Sequence, residues 1–75
     1  MTTIDLHNSE LVTSALEILE RELYRHFLAG EKIVRIIYGI GEGVLAAAVY
    51  DALKKNPLVR QFVEDEAGGS GLVYF

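Results

Sequence analysis

The sequence predicts an α/β fold: a two-layer βαβαββ sandwich whose four-stranded mixed sheet carries two helices on one face. Three observations predict it. Short runs of alternating or β-branched apolar residues recur four times along the chain. Two longer stretches, lying between the first three of those runs, repeat apolar residues at steps of three and four, the period of a helix face. Glycine, proline or small polar residues punctuate the junctions. A strand–helix–strand unit of this size favours a parallel pair joined by a right-handed crossover.

Ile4-Asp5-Leu6-His7 alternates apolar and polar residues, as a half-buried strand does. Asn8 and Ser9 follow, and either can cap a helix by accepting a hydrogen bond from its first free N–H groups. Val12, Ala15/Leu16, Leu19, Leu23 and Phe27 make one helix stripe, with Glu17, Glu20, Arg21 and Arg25 on the other side. Gly30 is the expected stop. Ile33 to Tyr38 reads as the second strand, followed by the glycine turn Gly39-Ile40-Gly41-Glu42-Gly43.

Val44 to Lys55 reads as the second helix, with Val44, Leu45, Ala48, Val49, Ala52 and Leu53 as its stripe. Lys54 and Lys55 lie at its C-terminus, where the helix dipole favours cations, and Asn56-Pro57 ends it. Leu58 to Glu64 is the third strand. Glu64-Asp65-Glu66 opens a polar turn, read as a solvated stretch that repels nucleic acid nearby. Leu72 to Phe75 is the fourth strand.

Composition narrows the class. The chain has 75 residues, one domain's worth, 51% of them hydrophobic, so a small apolar core must stabilise it by packing. It has no cysteine, hence no disulfide or zinc thiolate. No apolar run approaches the roughly 18 residues of a membrane span, and the N-terminus lacks the basic-then-apolar pattern of a secretory signal. A cytoplasmic setting away from membranes is expected. The net charge of −4 and pI near 5.0 argue against a strongly basic nucleic-acid binder, while leaving room for a local basic patch.

Two features carry chemistry. Strand alternation puts Ile4 and Leu6 toward the helices, and Asp5 and His7 side by side on the uncovered face. A carboxylate beside an imidazole can orient it for proton transfer. The plain alternative is a locally paired aspartate and a surface histidine. The second feature is the glycine loop. A dinucleotide fingerprint needs its third glycine at position 44, which is Val44, and a phosphate loop of the Walker type needs Gly-Lys-Ser/Thr, which is absent. A nucleotide cradle is excluded. A phosphodiester-binding turn, with amides of Gly39, Gly41 and Gly43 near a helix N-terminus, and a simple tight turn both stay open.

Tyr38 is a candidate for stacking on a base or donating to a phosphate, or else a core or rim tyrosine. Arg35 shares the open face with Asp5 if Val34 and Ile36 face the helices. It is then a phosphate contact or an ion-pair partner for Asp5. Lys32, Lys54, Lys55 and Arg60 are the remaining cations that could track a nucleic-acid backbone, or else solvated surface charges, and His26 reads as a structural histidine. Ile33 and Ile37 make the second strand apolar on both sides, so a second copy, another domain or a partner protein is expected over part of the open face.

The segments "IDLHN", "VRIIYGIGEG", "NPLVRQF" and "GGSG", in this order over nearly the whole chain, resemble the Smr (small MutS-related) domain family. Its motifs are a D-L-H-G strand end and an H-G-x-G or T-G-x-G loop after the second strand. The resemblance implies a domain that binds RNA or DNA. Several members are endonucleases, some acting on messenger RNA at stalled or collided ribosomes. By position it implies Asp5 and His7 as catalytic residues, with Gly39 and Gly41 in the loop. Asn8 replaces the usual glycine, Tyr38 the usual His or Thr, Ile40 a frequent Lys and Glu42 a frequent Thr.

Two expectations follow. One is a nucleic-acid-binding domain, an endonuclease working by acid–base chemistry with no cofactor and no metal ligand set. The other is a catalytically degenerate Smr domain serving as a protein-interaction module. Expected partners are RNA or DNA, a ribosome or larger host protein, or a second copy through the open face.

Overall fold

The computed structural model describes residues 2–9, 11–40 and 43–75. Its elements are β1 (Thr2–Asp5), α1 (Val12–Leu28), β2 (Ile33–Ile37), α2 (Val44–Lys55), β3 (Gln61–Glu64) and β4 (Ser70–Tyr74). They form one sheet in the order β1-β2-β4-β3. The β1 and β2 strands pair in parallel, with Ile4 opposite Ile36 and Asp5 opposite Ile37. The other two pairings are antiparallel, and β4 lies between β2 and β3.

The period of two decides which face is covered. Ile4 and Leu6, Val34 and Ile36, and Val73 are buried beneath the helices, where they meet Ala15, Leu19 and Leu23 of α1 and Val49 and Leu53 of α2. Each fully buried Leu, Ile or Val contributes roughly 1.5–3 kcal/mol. The opposite parity, Ile33, Arg35 and Ile37 with Leu72 and Tyr74, is only half-buried. The expected two-layer sandwich with one open sheet face is the observed one.

Boundaries differ from the expectations where side chains redirect the backbone. The first strand ends at Asp5 and not His7 because the Asp5 carboxylate accepts the His7 amide at 3.1 Å, turning the chain. The Leu6 amide still reaches the Ile37 carbonyl at 2.7 Å, so the burial alternation runs one residue past the ladder. Asn8 and Ser9 do not cap α1. Ser9 closes a turn onto the Leu6 carbonyl at 3.1 Å, and the N-cap is Leu11, whose side chain can accept nothing. The third strand begins at Gln61 because Asn56 holds the Leu58 and Val59 amides in a turn, at 2.8 and 3.2 Å. The fourth begins two residues early, at Ser70, because its turn is tight.

The end of α1 behaves as the glycine predicts. Gly30 takes a φ of +84°, and the amides of Gly30 and Glu31 return to the carbonyls of Phe27 and His26 at 3.1 and 3.2 Å. This is a Schellman closure. The helix stripes shift at their ends. Phe27 is 41% exposed and edges onto Phe75, while His26 takes the buried place and meets Glu31 at 2.5 Å. Val44, expected in the second stripe, is exposed at the start of α2. Among the described residues, no helix is long and apolar enough to cross a membrane.

Candidate functional site

The site candidates gather where β1 and β2 end side by side. Parallel pairing brings Asp5 level with Ile37, so the chain leaving β1 at His7 passes the chain leaving β2 at Gly39. The approach is close. A Cβ placed on Gly39, whose φ is +81°, would stand 3.3 Å from the His7 Cβ. Two motifs 32 positions apart in sequence therefore share one wall, and Gly39 is small because His7 is there.

Asp5 and His7 form a dyad. One oxygen of the carboxylate, Oδ1, accepts both the His7 backbone N–H, at 3.1 Å, and the ring Nδ1–H. Those two bonds, the ring's being the larger effect, hold the Asp5 carboxyl below its usual range, so it is ionised at neutral pH. An ionised carboxylate only accepts, which assigns a proton to Nδ1, so that in a neutral ring Nε2 is the acceptor, and it has no hydrogen-bond partner among the described residues. Nearly half of each side chain is exposed. The arrangement can take a proton at Nε2 from a group laid on the surface. The hollows of 470 and 590 Å³ on the surface of the described residues are lined by other side chains, Tyr50, Lys54 and Phe62 in one and Tyr24, Asp51 and Pro57 in the other.

The remaining candidates divide. Tyr38 does not stand on the open face. It shares the parity of Val34 and Ile36 and is buried. Its hydroxyl donates to Glu64 Oε2 at 2.9 Å and accepts from Tyr50 at 3.2 Å, and its ring meets that of Tyr50 edge-on at 5.9 Å. Burial, aided by the Glu64 carboxylate, pushes its hydroxyl well above the usual tyrosine value. Base stacking and phosphate donation are both closed to it.

Arg35 does lie on the open face, but its partner is Asp65 and not Asp5, at 2.5 Å. Ser70 donates to the same Asp65 oxygen. The Ser70 hydroxyl, then the Arg35 guanidinium, hold the Asp65 carboxyl below its usual range. Glu64-Asp65-Glu66 is thus no simple solvated turn, since two of its carboxylates are engaged.

The amide of Gly39 is also engaged. It and the Tyr38 amide both donate to the Gly69 carbonyl at 2.9 Å, so Gly39 serves the site by its size and not as an anion donor. Gly43, with φ +83°, is the N-cap of α2, and its carbonyl accepts the Ala47 amide at 2.9 Å. Gly41 and Glu42 lie outside the described residues. Among the described residues, no three His, Cys, Asp or Glu side chains stand together to hold a metal.

Sequence reasoning missed Asp65, Ser70 and Gly69. Two glycines with positive φ, Gly68 and Gly69, were the available signal for the turn. Nothing local pointed to its contact with the loop after β2.

Comparison with known proteins identifies the family and the fold. The family model of the Smr domain matches residues 4–75. The chain is 39% identical over 72 residues to the endonuclease MutS2 of Aquifex aeolicus, covering 93% of this chain. It is 42% identical over 72 residues to that of Halothermothrix orenii, with the same coverage. It spans only 9% of the length of either relative. The crystal structure of the Smr domain of Thermus thermophilus MutS2 superposes with a TM-score of 0.90 at 24% identity, covering 99% of this chain and 96% of that one, and shows the same fold. With the family model matched over residues 4–75 and relatives of about 40% identity covering 93% of it, the chain belongs to the Smr domain family.

Proposed function

We propose that this domain binds single-stranded RNA and cleaves it, with His7 as general base and Asp5 as the residue that orients it. The observation that carries this reading is the exposed dyad: an ionised carboxylate on Nδ1 leaves Nε2 free to accept a proton. In the step, Nε2 takes the proton of a ribose 2′-hydroxyl, the 2′-oxygen bonds to the adjacent phosphorus, and the P–O5′ bond breaks. The imidazolium returns its proton to the departing 5′-oxygen, leaving a 2′,3′-cyclic phosphate and a 5′-hydroxyl. RNA is favoured over DNA because the nucleophile is internal to it, whereas DNA hydrolysis recruits water and usually metal ions.

Kinship with endonuclease MutS2 supports action on a nucleic acid and a place within a larger host protein. The cytoplasm, where messenger RNA and ribosomes meet, is the setting this reading implies. Arg35 is the phosphate contact, exchanging Asp65 for the backbone when RNA arrives.

The test uses end-labelled single-stranded RNA and the matching DNA, beside His7→Ala. RNA cut to cyclic-phosphate ends, with a loss of roughly 10²- to 10⁴-fold in His7→Ala, is the expected result. Intact RNA together with no binding at low salt overturns it. The second reading, a protein-interaction module, is favoured by one observation: Ile33, Ile37 and Leu72 remain half-buried and Val63 is 44% exposed on the uncovered face.

A further inference from the structure

The β3–β4 turn reaches the dyad through one glycine. Its ends are tied by the Asp65 amide on the Ser70 carbonyl and the Gly68 amide on the Asp65 carbonyl, both at 2.9 Å. Asp65 also takes the Ser70 hydroxyl and, at 2.5 Å, the Arg35 guanidinium, which anchors the turn to β2. The Gly69 carbonyl accepts the consecutive amides of Tyr38 and Gly39 at 2.9 Å each. A Cβ on Gly69 would stand 3.0 Å from Ile40 Cγ1, 3.3 Å from the Gly39 carbonyl carbon and 3.4 Å from the Ile40 nitrogen. Gly39, so held, is the wall against which His7 rests.

We infer that Gly69 is a positioning residue for the candidate site: its carbonyl and its missing side chain clamp the Gly39 loop against His7. This rests on the reading of His7 as general base, but the clamp itself can be measured without any cleavage. Gly68 supplies the control. Gly68 and Gly69 both have φ near +78°, so alanine strains either backbone alike. Of the two, only Gly69 has neighbours within 4 Å of its added Cβ among the described residues. A difference between Gly69→Ala and Gly68→Ala therefore reports the clamp and not the strain.

The experiment records the His7 ring signals and their pH titration by NMR in wild type, Gly68→Ala and Gly69→Ala, with His26 as internal reference and melting curves for all three. Both variants are expected to lose melting temperature to backbone strain, Gly69→Ala the more because its Cβ also meets Ile40 and Gly39. Gly69→Ala alone moves the His7 signals and titration midpoint, and cleavage falls roughly 10- to 100-fold by misplacement of the base. Gly68→Ala leaves His7 and cleavage near wild type.

If Gly69→Ala does not fold, Gly69→Asn and Gly68→Asn repeat the comparison, since asparagine tolerates the left-handed region yet still carries a Cβ. Equal His7 signals in the two members of a folded pair overturn the clamp. If wild type cuts no RNA but the Gly69 variant still moves His7, the nuclease reading falls and the clamp stands.

Discussion

Asp5 shows how much chemistry two positions of sequence can contain. Its carboxylate turns the chain by accepting the His7 amide and sets the tautomer by accepting the His7 ring, through the same oxygen. Asp5→Asn keeps the shape, but its amide no longer offers a carboxylate to Nδ1–H. Cleavage should fall at least roughly tenfold, and by less than in His7→Ala. Initial rates on one labelled RNA at fixed pH check this, and an unaltered rate removes Asp5 from the mechanism.

Tyr38 makes the opposite case. Its hydroxyl is spent between Glu64 and Tyr50 in the interior. Tyr38→Phe should lower stability by about 1 kcal/mol, the net worth of a typical hydrogen bond, while leaving RNA cleavage within about twofold of wild type. Urea unfolding and the cleavage assay measure the two effects separately.

The β3–β4 hairpin is the element whose importance exceeds its length. Gly71 sits under the ring of Phe62: an added Cβ would stand 2.6 Å from two ring carbons and 2.8 Å from the Val63 carbonyl oxygen. Gly71→Ala should destabilise by about 1–3 kcal/mol through overpacking, read as a lower urea midpoint at unchanged slope.

The turn's ion pair makes a pH prediction. Because the folded Asp65 carboxyl lies below its unfolded value, it contributes stability that is present above the unfolded value and lost as pH falls through the folded one. Wild type should therefore melt higher than Asp65→Asn above about pH 5, and the gap should close on acidification below about pH 4. Melting temperatures of both proteins across that range test it, and a gap independent of pH rules out the carboxylate as its source.

Across the molecule, the net charge of −4 restricts how nucleic acid can bind. Arg35 is the cation placed on the dyad's face, and Lys54, Lys55 and Arg60 are exposed on or just beyond α2. A site engaging roughly two or three phosphates should give a slope of log K against log salt of only about −1.5 to −2 for a single strand. A slope several times steeper requires a basic surface contributed by another part of a longer protein or by a second copy. Salt titrations by fluorescence anisotropy decide between them.

What the sequence determined by itself is most of what near neighbours govern, though the cap of α1 and the ends of β1 and β3 escaped it. Helix stripes, strand parity, the closure at Gly30 and the Asp5–His7 pairing follow from side chains two to four positions apart, where backbone geometry leaves few alternatives. Tertiary structure decided the rest. Gly39 meets His7 across 32 positions, Arg35 meets Asp65 across 30, and the amides of Tyr38 and Gly39 find the Gly69 carbonyl only because β4 enters the sheet beside β2. Local patterning could not show that Tyr38 would spend its hydroxyl inside, or that an acidic turn would hold a cation. Those outcomes depend on which strands become neighbours, and that is settled by the burial of a shared core rather than by any one segment.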